Sequence, residues 1–417
     1  MTDASTLRLE EMPAPPPAGN PAAAAPGHAQ PAAASRQQAA IPVATTEARR
    51  FEFTGSGGEY FRIWVVNLLL SVVTLGVYSA WAKVRRLQYF YRNTCVAGDI
   101  FDYHGNPKAI LKGRLLALGL LVAYKIASEL STFAGLAVVL VLVAIMPWLL
   151  SRAFRFKLAN SSYRGLRFRF QGTVAQAYRM LILFPVILAF TGLFAWSVFA
   201  SFNTRPRIGL LVMAVVALFA VLMATVPLAH YLLKRYQHDN AYYGQSPFFF
   251  HAGPAAFFKV YAKSMAVASL GGIPVTIFGF LTGDLFAYLS TTTFGWLFKI
   301  LYGMASGYAS YLVLRSYLES RIQNLVWNHT ELADVSFEST ASARKLFWIH
   351  ASNLGLIMLT LGLYKPFATV RLVRYRLENL AVVPHGDLEE FFSDQAVDGA
   401  GAAGEEAGEF FDIDIAL

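Results

Sequence analysis

The chain has 417 residues, 56% hydrophobic and only 15% charged, where soluble domains run near a quarter charged; several apolar runs are long enough to cross a hydrocarbon core of roughly 30 Å, which argues against a soluble protein with buried helices. A single cysteine, Cys95, excludes an intramolecular disulfide and a Cys-based zinc site. The net charge is +9, but residues 387–417 carry ten Asp or Glu and no Lys or Arg, leaving 35 Lys and Arg against 16 acids elsewhere. In a membrane protein such basic charge belongs on the cytoplasmic face, beside anionic headgroups. No recognition module accompanies it, so nucleic acid is not an expected partner.

Residues 1–50 are rich in Ala, Pro and Gln and read as a disordered tail, without the basic and apolar regions of a secretory signal. After Phe51-Glu-Phe-Thr-Gly55 an apolar run extends from Tyr60 to about Ala82, with Gly76 inside Thr74-Leu-Gly-Val-Tyr78. Lys83, Arg85, Arg86 and Arg92 follow, interleaved with Trp81, Tyr89, Phe90 and Tyr91. Helical spacing gives that stretch a basic face and an aromatic face, which suits the headgroup layer. Three apolar pairs make up the middle, at about 113–129 with 133–151, 178–202 with 208–231, and 257–282 with 286–314. A last apolar run at about 346–368 leads to Arg371, Arg374 and Arg376, then to an acidic tail over 386–417 that contains Phe391-Phe392 and Phe410-Phe411. The tail reads as solvated and disordered, with a clamp onto the basic segments as the alternative.

Shifted by 286 residues, the first apolar run aligns with the last: Asn67, Thr74, Gly76, Tyr78 and Arg85 match Asn353, Thr360, Gly362, Tyr364 and Arg371. Apolar composition alone does not place Asn, Thr, Gly and Arg at a fixed offset, so units at about 51–96 and 337–382 read as a duplication. A smaller pattern runs through the connections. Asn93, Gly98, Phe101, Tyr103 and Gly105 have the spacing of Asn160, Gly165, Phe168, Phe170 and Gly172; Asn240, Phe248 and Phe250 repeat part of it. Phe51-x-Phe53-x-Gly55 and Phe337-x-Ser339-x-Ala341 are partial copies. Alternating aromatics closed by Gly predict short strands ending in a turn.

The long connections hold seven Lys and Arg in 83–114, seven in 152–179, four in 234–263 and four in 315–345, whereas the opposite connections hold only Arg205 and Arg207. The long ones are therefore expected in the cytoplasm. If the first and last apolar runs also cross, giving eight spans, Arg371, Arg374 and Arg376 fall outside and the Phe51 strand is parted from its copies. If both runs are re-entrant, with bends at Gly76 and Gly362, six spans remain and every strand falls on one side. The second arrangement is preferred, although each run is long enough to span. The expected fold is an all-α polytopic membrane protein: three transmembrane helical hairpins bracketed by two duplicated apolar-helix/basic-helix units, with short cytoplasmic β strands.

Thr74-Leu-Gly-Val-Tyr-Ser-Ala-Trp-Ala-Lys-Val-Arg-Arg86, followed by Asn93-Thr94, Gly98 and Phe101-x-Tyr103-x-Gly105, resembles the YjgN family of bacterial inner-membrane proteins over roughly residues 51–385. The resemblance is looser in the last unit, where Pro366-Phe367 replace Ala80-Trp81. It implies an inner-membrane location and this architecture but no activity and no catalytic residue, and it suggests a membrane metallopeptidase as a partner.

No phosphate loop, His-Glu-x-x-His or Gly-x-Ser-x-Gly turn is present, and no enzyme activity, metal or cofactor is expected. Gly279-x-x-x-Gly283 and Gly303-x-x-x-Gly307 read as close helix packing. His238-Asp239-Asn240 reads as a solvated helix end rather than a metal or proton site. Ionisable groups inside spans are costly, which makes them candidates: Lys299, with uncharged residues on both sides, and Lys125, which can pair with Glu129 one turn on. Asn67, Asn353 and His350 suit interhelical hydrogen bonds. The candidate lipid or partner surface comprises Lys83, Arg85, Arg86, Arg92, Arg371 and Arg374. Two functions remain open: small-solute transport or permeation, placed first, and a non-enzymatic scaffold binding anionic lipid or membrane proteins through its basic face.

Overall fold

The computed structural model describes residues 47–182, 208–283 and 293–388, with scattered positions between 185 and 194 and Phe391–Phe392. The tail over 1–46, Arg205, Arg207 and Phe410-Phe411 lie outside the described residues.

The segments of alternating aromatics expected as strands lie in strands, with Phe51 between two of them, and the strands join. β1 (Arg49–Arg50), β2 (Glu52–Phe53), β3 (Thr94–Val96), β4 (Asp99–Tyr103), β5 (Ser161–Tyr163), β6 (Leu166–Phe170), β7 (Ala241–Tyr243), β8 (Ser246–Phe250), β9 (Thr330–Leu332), β10 (Val335–Ser339) and β11 (Leu380–Pro384) form one antiparallel sheet. Its order is β1-β11-β10-β9-β8-β7-β6-β5-β4-β3-β2. The two ends meet, because only Phe51 separates β1 from β2. Arg49 faces Val382 of β11, Glu52 faces Cys95 of β3, and the Phe51 N–H donates to Leu380 O at 2.9 Å. One continuous segment therefore borders both ends, and the sheet curls into a nearly closed barrel.

This overturns the all-α expectation with isolated short strands. Most of these strands are only three to five residues long, too short to announce a sheet alone. Their pairing joins segments such as Phe101 and Tyr163, or Phe168 and Tyr243, which lie far apart in the chain.

The alternation dictates what fills the barrel. Phe51, Phe101, Phe168, Phe248 and Phe337 form an inward belt, with successive ring centroids 6.1, 6.5, 6.5 and 6.3 Å apart. Val96, Tyr163, Tyr243, Leu332, Leu380 and Val382 fill the space beside them. Two residues further along, Phe53, Tyr103, Phe170 and Phe250 each wedge into a separate cluster of helix side chains at the barrel base. The Gly that follows two residues later is then explained at Gly105, where an added Cβ would fall 2.4 Å from the Tyr103 hydroxyl oxygen.

A helix begins directly after that position each time: α1 (Gly57–Val73), α3 (Pro107–Leu130), α5 (Val174–Leu181), α7 (Pro254–Leu281) and α9 (Ala343–Leu359), behind Ser56, Asn106, Thr173, Gly253 and Ser342 as N-caps. Ser56 and Thr173 complete capping boxes with Glu59 and Gln176, satisfying first-turn N–H groups that otherwise lack partners. The return helices are α2 (Ser79–Arg92), α4 (Thr132–Ala159), α6 (Ile208–Asp239), α8 (Thr293–Trp327) and α10 (Lys365–Glu378). Asn93, Asn160, Asn240 and Asn379 end four of them by donating from Nδ2 to the carbonyl four residues back; His329 accepts this role in the fifth through Nδ1 and Leu325 O. Backbone bonds then tie each exit to its return: Thr54 N–H to Asn93 O, His104 to Asn160, Gln171 to Asn240, His251 to His329 and Thr340 to Asn379, at 2.8–3.0 Å. All five helix pairs thus leave the barrel and come back to the same side.

α1 and α9 have 17 residues each, about 26 Å of helix, and each reverses at a matching turn. Leu75-Gly76 and Leu361-Gly362 take positive φ, and the Gly76 and Gly362 N–H groups donate to Ser71 O and Ile357 O, closing the helix in a Schellman-like cap. Thr74 Oγ1 accepts from Tyr78 N, as Thr360 Oγ1 does from Tyr364 N. Both leucines are about fully exposed at the tips, 95% and 94%.

Each helix packs on its predecessor and successor in the chain, and α10 returns to α1. Four helical segments are long and apolar enough to cross a membrane: Thr132–Ala159, Val215–Asp239, Pro254–Leu281 and Gly295–Trp327. Of the glycines expected to pack closely, a Cβ at Gly279 would meet Tyr302 Oη at 3.8 Å, and one at Gly283, Gly303 or Gly307 would meet nothing within 4 Å among the described residues.

Candidate functional site

Four strands end on an aromatic ring at the barrel base; the fifth, β10, ends on Ser339. Its neighbourhood is polar in consequence. Ser339 Oγ donates to Asn324 Oδ1 at 2.9 Å and accepts from Gln323 Nε2 at 3.4 Å, while its N–H donates to Asn328 Oδ1 at 2.5 Å. One turn up α8, Glu319 gathers side chains from three helices: Arg315 Nε at 2.9 Å, the His350 imidazole Nε2 of α9 at 3.0 Å and Arg376 Nη2 of α10 at 2.8 Å. Gln323 Nε2 also donates to Arg376 O at 3.1 Å. Lys234 of α6 lies within charge range of Arg376 and of Lys157 of α4. Cations from three helices thus converge below the barrel, next to a carboxylate that screens one of them.

A second basic feature faces outward. Between α9 and α10 lies an open groove of about 400 Å³ lined by Lys345, Trp348, Ile349, Arg371, Arg374, Tyr375 and Glu378. Arg371 Nη1 donates to Ser352 Oγ at 2.7 Å and to Asn353 Oδ1 at 3.4 Å. Arg374 Nη2 reaches Gly55 O at 2.8 Å, joining the last helix to the first N-cap region. Trp348 is 61% exposed beside these cations, the pairing of aromatic and basic groups that suits a headgroup layer.

The structure separates the other predicted residues. Asn67 and Asn353 are buried and equivalent in use: each Nδ2 donates across its helix pair, to Ala82 O at 3.5 Å and Ala368 O at 3.3 Å. Asn67 Oδ1 has no partner among the described residues. The difference is local: Val66 stands where the later unit has Ser352, so Arg85 lacks the second acceptor that Arg371 has; Arg85, Arg86 and Arg371 are all exposed. Arg92 pairs with Asp102 at 2.8 Å on the barrel flank. Burial works against the Asp102 anion, but hydrogen bonds from Arg92 and the Tyr103 N–H, with the charges of Arg92 and His104, hold its carboxyl below the ordinary range. Lys125 and Glu129 pair at 3.1 Å, both well exposed near the α3 end. Lys299 is exposed near the start of α8, some five turns before Glu319. His238 is buried against Phe250 and Trp327 and its Nδ1 meets Thr330 Oγ1 at 3.3 Å, so it is a packed residue and not a solvated one.

Glu319, Gln323, Asn324, Lys157 and Lys234 were not singled out by sequence reasoning. One signal for the first three existed: Ser339 standing where the other copies have an aromatic. The two lysines had none, since a cation near a helix end reads as solvated.

Apolar helices of spanning length, carried on one nearly closed strand barrel with cations at its base, define an integral membrane protein of mixed helix and strand architecture. Residues 48–410 match the family described as "Bacterial protein of unknown function (DUF898)", and the chain belongs to that family. It is 26% identical over 358 residues to the inner membrane protein YjgN of Salmonella typhimurium strain LT2, covering 81% of this chain and 88% of that protein. To the inner membrane protein YjgN of Escherichia coli O157:H7 it is 28% identical over 145 residues, 33% of this chain and 35% of that one. No solved structure matches. The family and the four apolar helices place the chain in the bacterial inner membrane.

Proposed function

We propose that the protein is a non-enzymatic, multi-pass scaffold of the inner membrane that binds anionic lipid headgroups through a basic cytoplasmic collar. In this reading five repeats of strand, helix, helix and strand build the chain. Three of the helix pairs cross the membrane, and α1–α2 and α9–α10 are re-entrant. The observation that carries it is the backbone tie between exit and return of each pair, including Thr54 to Asn93 and Thr340 to Asn379. A helix pair that starts and ends on one strand ladder crosses twice or not at all, and α1 and α9, at about 26 Å, are short for the roughly 30 Å core. The collar cations Arg85, Arg86, Arg371 and Arg374 then lie at one level, where each is worth about 1 kcal/mol toward an anionic surface.

Native mass spectrometry of the detergent-solubilised full chain with phosphatidylglycerol tests this. Bound lipid is expected on the wild type and a several-fold loss in Arg371→Gln/Arg374→Gln, with phosphatidylcholine retained equally by both. Equal phosphatidylglycerol retention would sink the lipid role. Transport keeps one supporting observation, the convergence of Lys157, Lys234 and Arg376 below the barrel. The side chains filling the barrel weigh against permeation through it. Anion flux into proteoliposomes that disappears in Lys234→Met would favour transport instead.

A further inference from the structure

The end of the barrel away from the helices is occupied, and the scaffold reading makes no use of its occupant. β11 ends at Pro384 and the chain turns back over that mouth, with Leu388, Phe391 and Phe392 on the inner cluster. The Phe391 N–H donates to Asp387 O at 3.1 Å, a helical turn, so residues 388, 391 and 392 share one face. The Phe392 ring stands edge-on to Tyr163 at 5.2 Å and to Tyr243 at 5.9 Å, under the Arg164 guanidinium at 4.5 Å.

The receiving surface is built by other contacts. Tyr163 Oη donates to Val96 O at 2.8 Å, and Tyr243 Oη to Tyr163 O at 3.2 Å, so three hairpins are clamped in series. Burial pushes the Tyr163 hydroxyl up to about 12 and raises that of Tyr243, which keeps both as donors. Arg164 Nε is held 2.5 Å from Asp99 Oδ2. Arg49 is exposed on the strand face it shares with Phe51, so the rim carries two arginines beside a tail with ten acids and no base.

We propose that the barrel mouth is a binding site for short acidic peptides with a Leu-x-x-Phe-Phe face, occupied in cis by Leu388, Phe391 and Phe392. The aromatic pair fills the mouth, edge-on contacts to two tyrosines and the arginine above select a ring over an aliphatic side chain, and the flanking acids answer Arg49 and Arg164. The same chain carries a second acid-flanked Phe-Phe pair, Glu-Phe-Phe-Asp at 409–412, where the first reads Glu-Phe-Phe-Ser at 390–393.

Two measurements test the site. A photo-crosslinking amino acid at position 392 of the otherwise unchanged full chain should capture β5 or β7; capture of neither overturns the proposal, whatever the variants do. Next, a fluorescent peptide of residues 386–394 is titrated against the full-length Phe391→Ala/Phe392→Ala variant by anisotropy. Binding should be at least about ten-fold tighter than to the wild type, whose tethered segment competes at an effective concentration near millimolar. Adding Tyr243→Ala should weaken it about ten-fold. Binding no tighter than that of the same peptide with both phenylalanines replaced by alanine overturns the proposal. None of these readouts involves lipid, so they fail independently of the scaffold reading.

Discussion

Ser339 is where the aromatic pattern at the barrel base breaks, and the charges around it follow from that one residue. A ring there would fill the space now used by Gln323 and Asn324, and the carboxylate of Glu319 would lose its polar surroundings. Glu319 is only 21% exposed and serves three helices, so removing it strands Arg376 and His350. Glu319→Ala should cost on the order of 2 kcal/mol, less than a fully buried pair would, whereas Arg315→Ala, at 40% exposure, should cost under about 0.5 kcal/mol. Thermal unfolding in detergent separates the two. The Tyr243 hydroxyl makes one neutral hydrogen bond, so Tyr243→Phe should cost about 1 kcal/mol. Asp102 adds a pH term. Its carboxyl is lowered in the folded state, so its stabilisation is present above the ordinary carboxylate pKa and is lost as pH falls through the lowered value. A melting curve between about pH 6 and pH 3 should flatten in Asp102→Asn.

At the scale of elements, the matching pairs α1–α2 and α9–α10 answer why Asn, Thr, Gly and Tyr recur at a fixed offset. The Asn crosses to the partner helix, the Thr hydroxyl donates to the carbonyl four residues back, the Gly takes the positive φ, and the Tyr N–H donates to the Thr oxygen. The pairs differ in one consequence. Asn353 also holds Arg371, while Asn67 has an unpartnered oxygen and a longer bond. Asn353→Ala should therefore cost about 1–2 kcal/mol and Asn67→Ala about 0.5 kcal/mol, read as a larger melting shift for the former. Equal shifts would mean that the arginine contact contributes nothing. These elements were legible in the sequence because each acts within some twenty residues of itself. Asn93, Asn160 and Asn240 were visible as a spacing, but not as caps, because only the return of the chain to a strand gives them that role. The charge cluster was legible only in part: His350 was expected to bond across helices and does so with Glu319, but Glu319, His350 and Arg376 sit on three helices, and nothing local to Glu319 marks it as their meeting point.

For the whole molecule, the strand positions were readable and their union was not. Alternating aromatics predict strands, but a ladder whose neighbours come from different helix pairs depends on the order in which those pairs pack. The ring closure has a direct topological test. Fusions after Ser56 and after Arg376 should both report the cytoplasm, by fluorescent-protein signal and absence of alkaline phosphatase activity. A periplasmic report at either position contradicts the pairing of β2 with β3 or of β10 with β11.

The bond from Phe51 to Leu380 also has a consequence in time. The first strand leaves the ribosome more than three hundred residues before its last neighbour exists. At roughly 5–20 residues per second, that is about 15–65 s of synthesis. Through that interval the growing sheet keeps two raw edges, the kind that recruit foreign strands. A chain that stops short of Leu380 is therefore not a smaller barrel but an open one. Such fragments should be cleared rapidly by membrane proteases while the full-length chain persists, a difference that pulse–chase labelling reads directly.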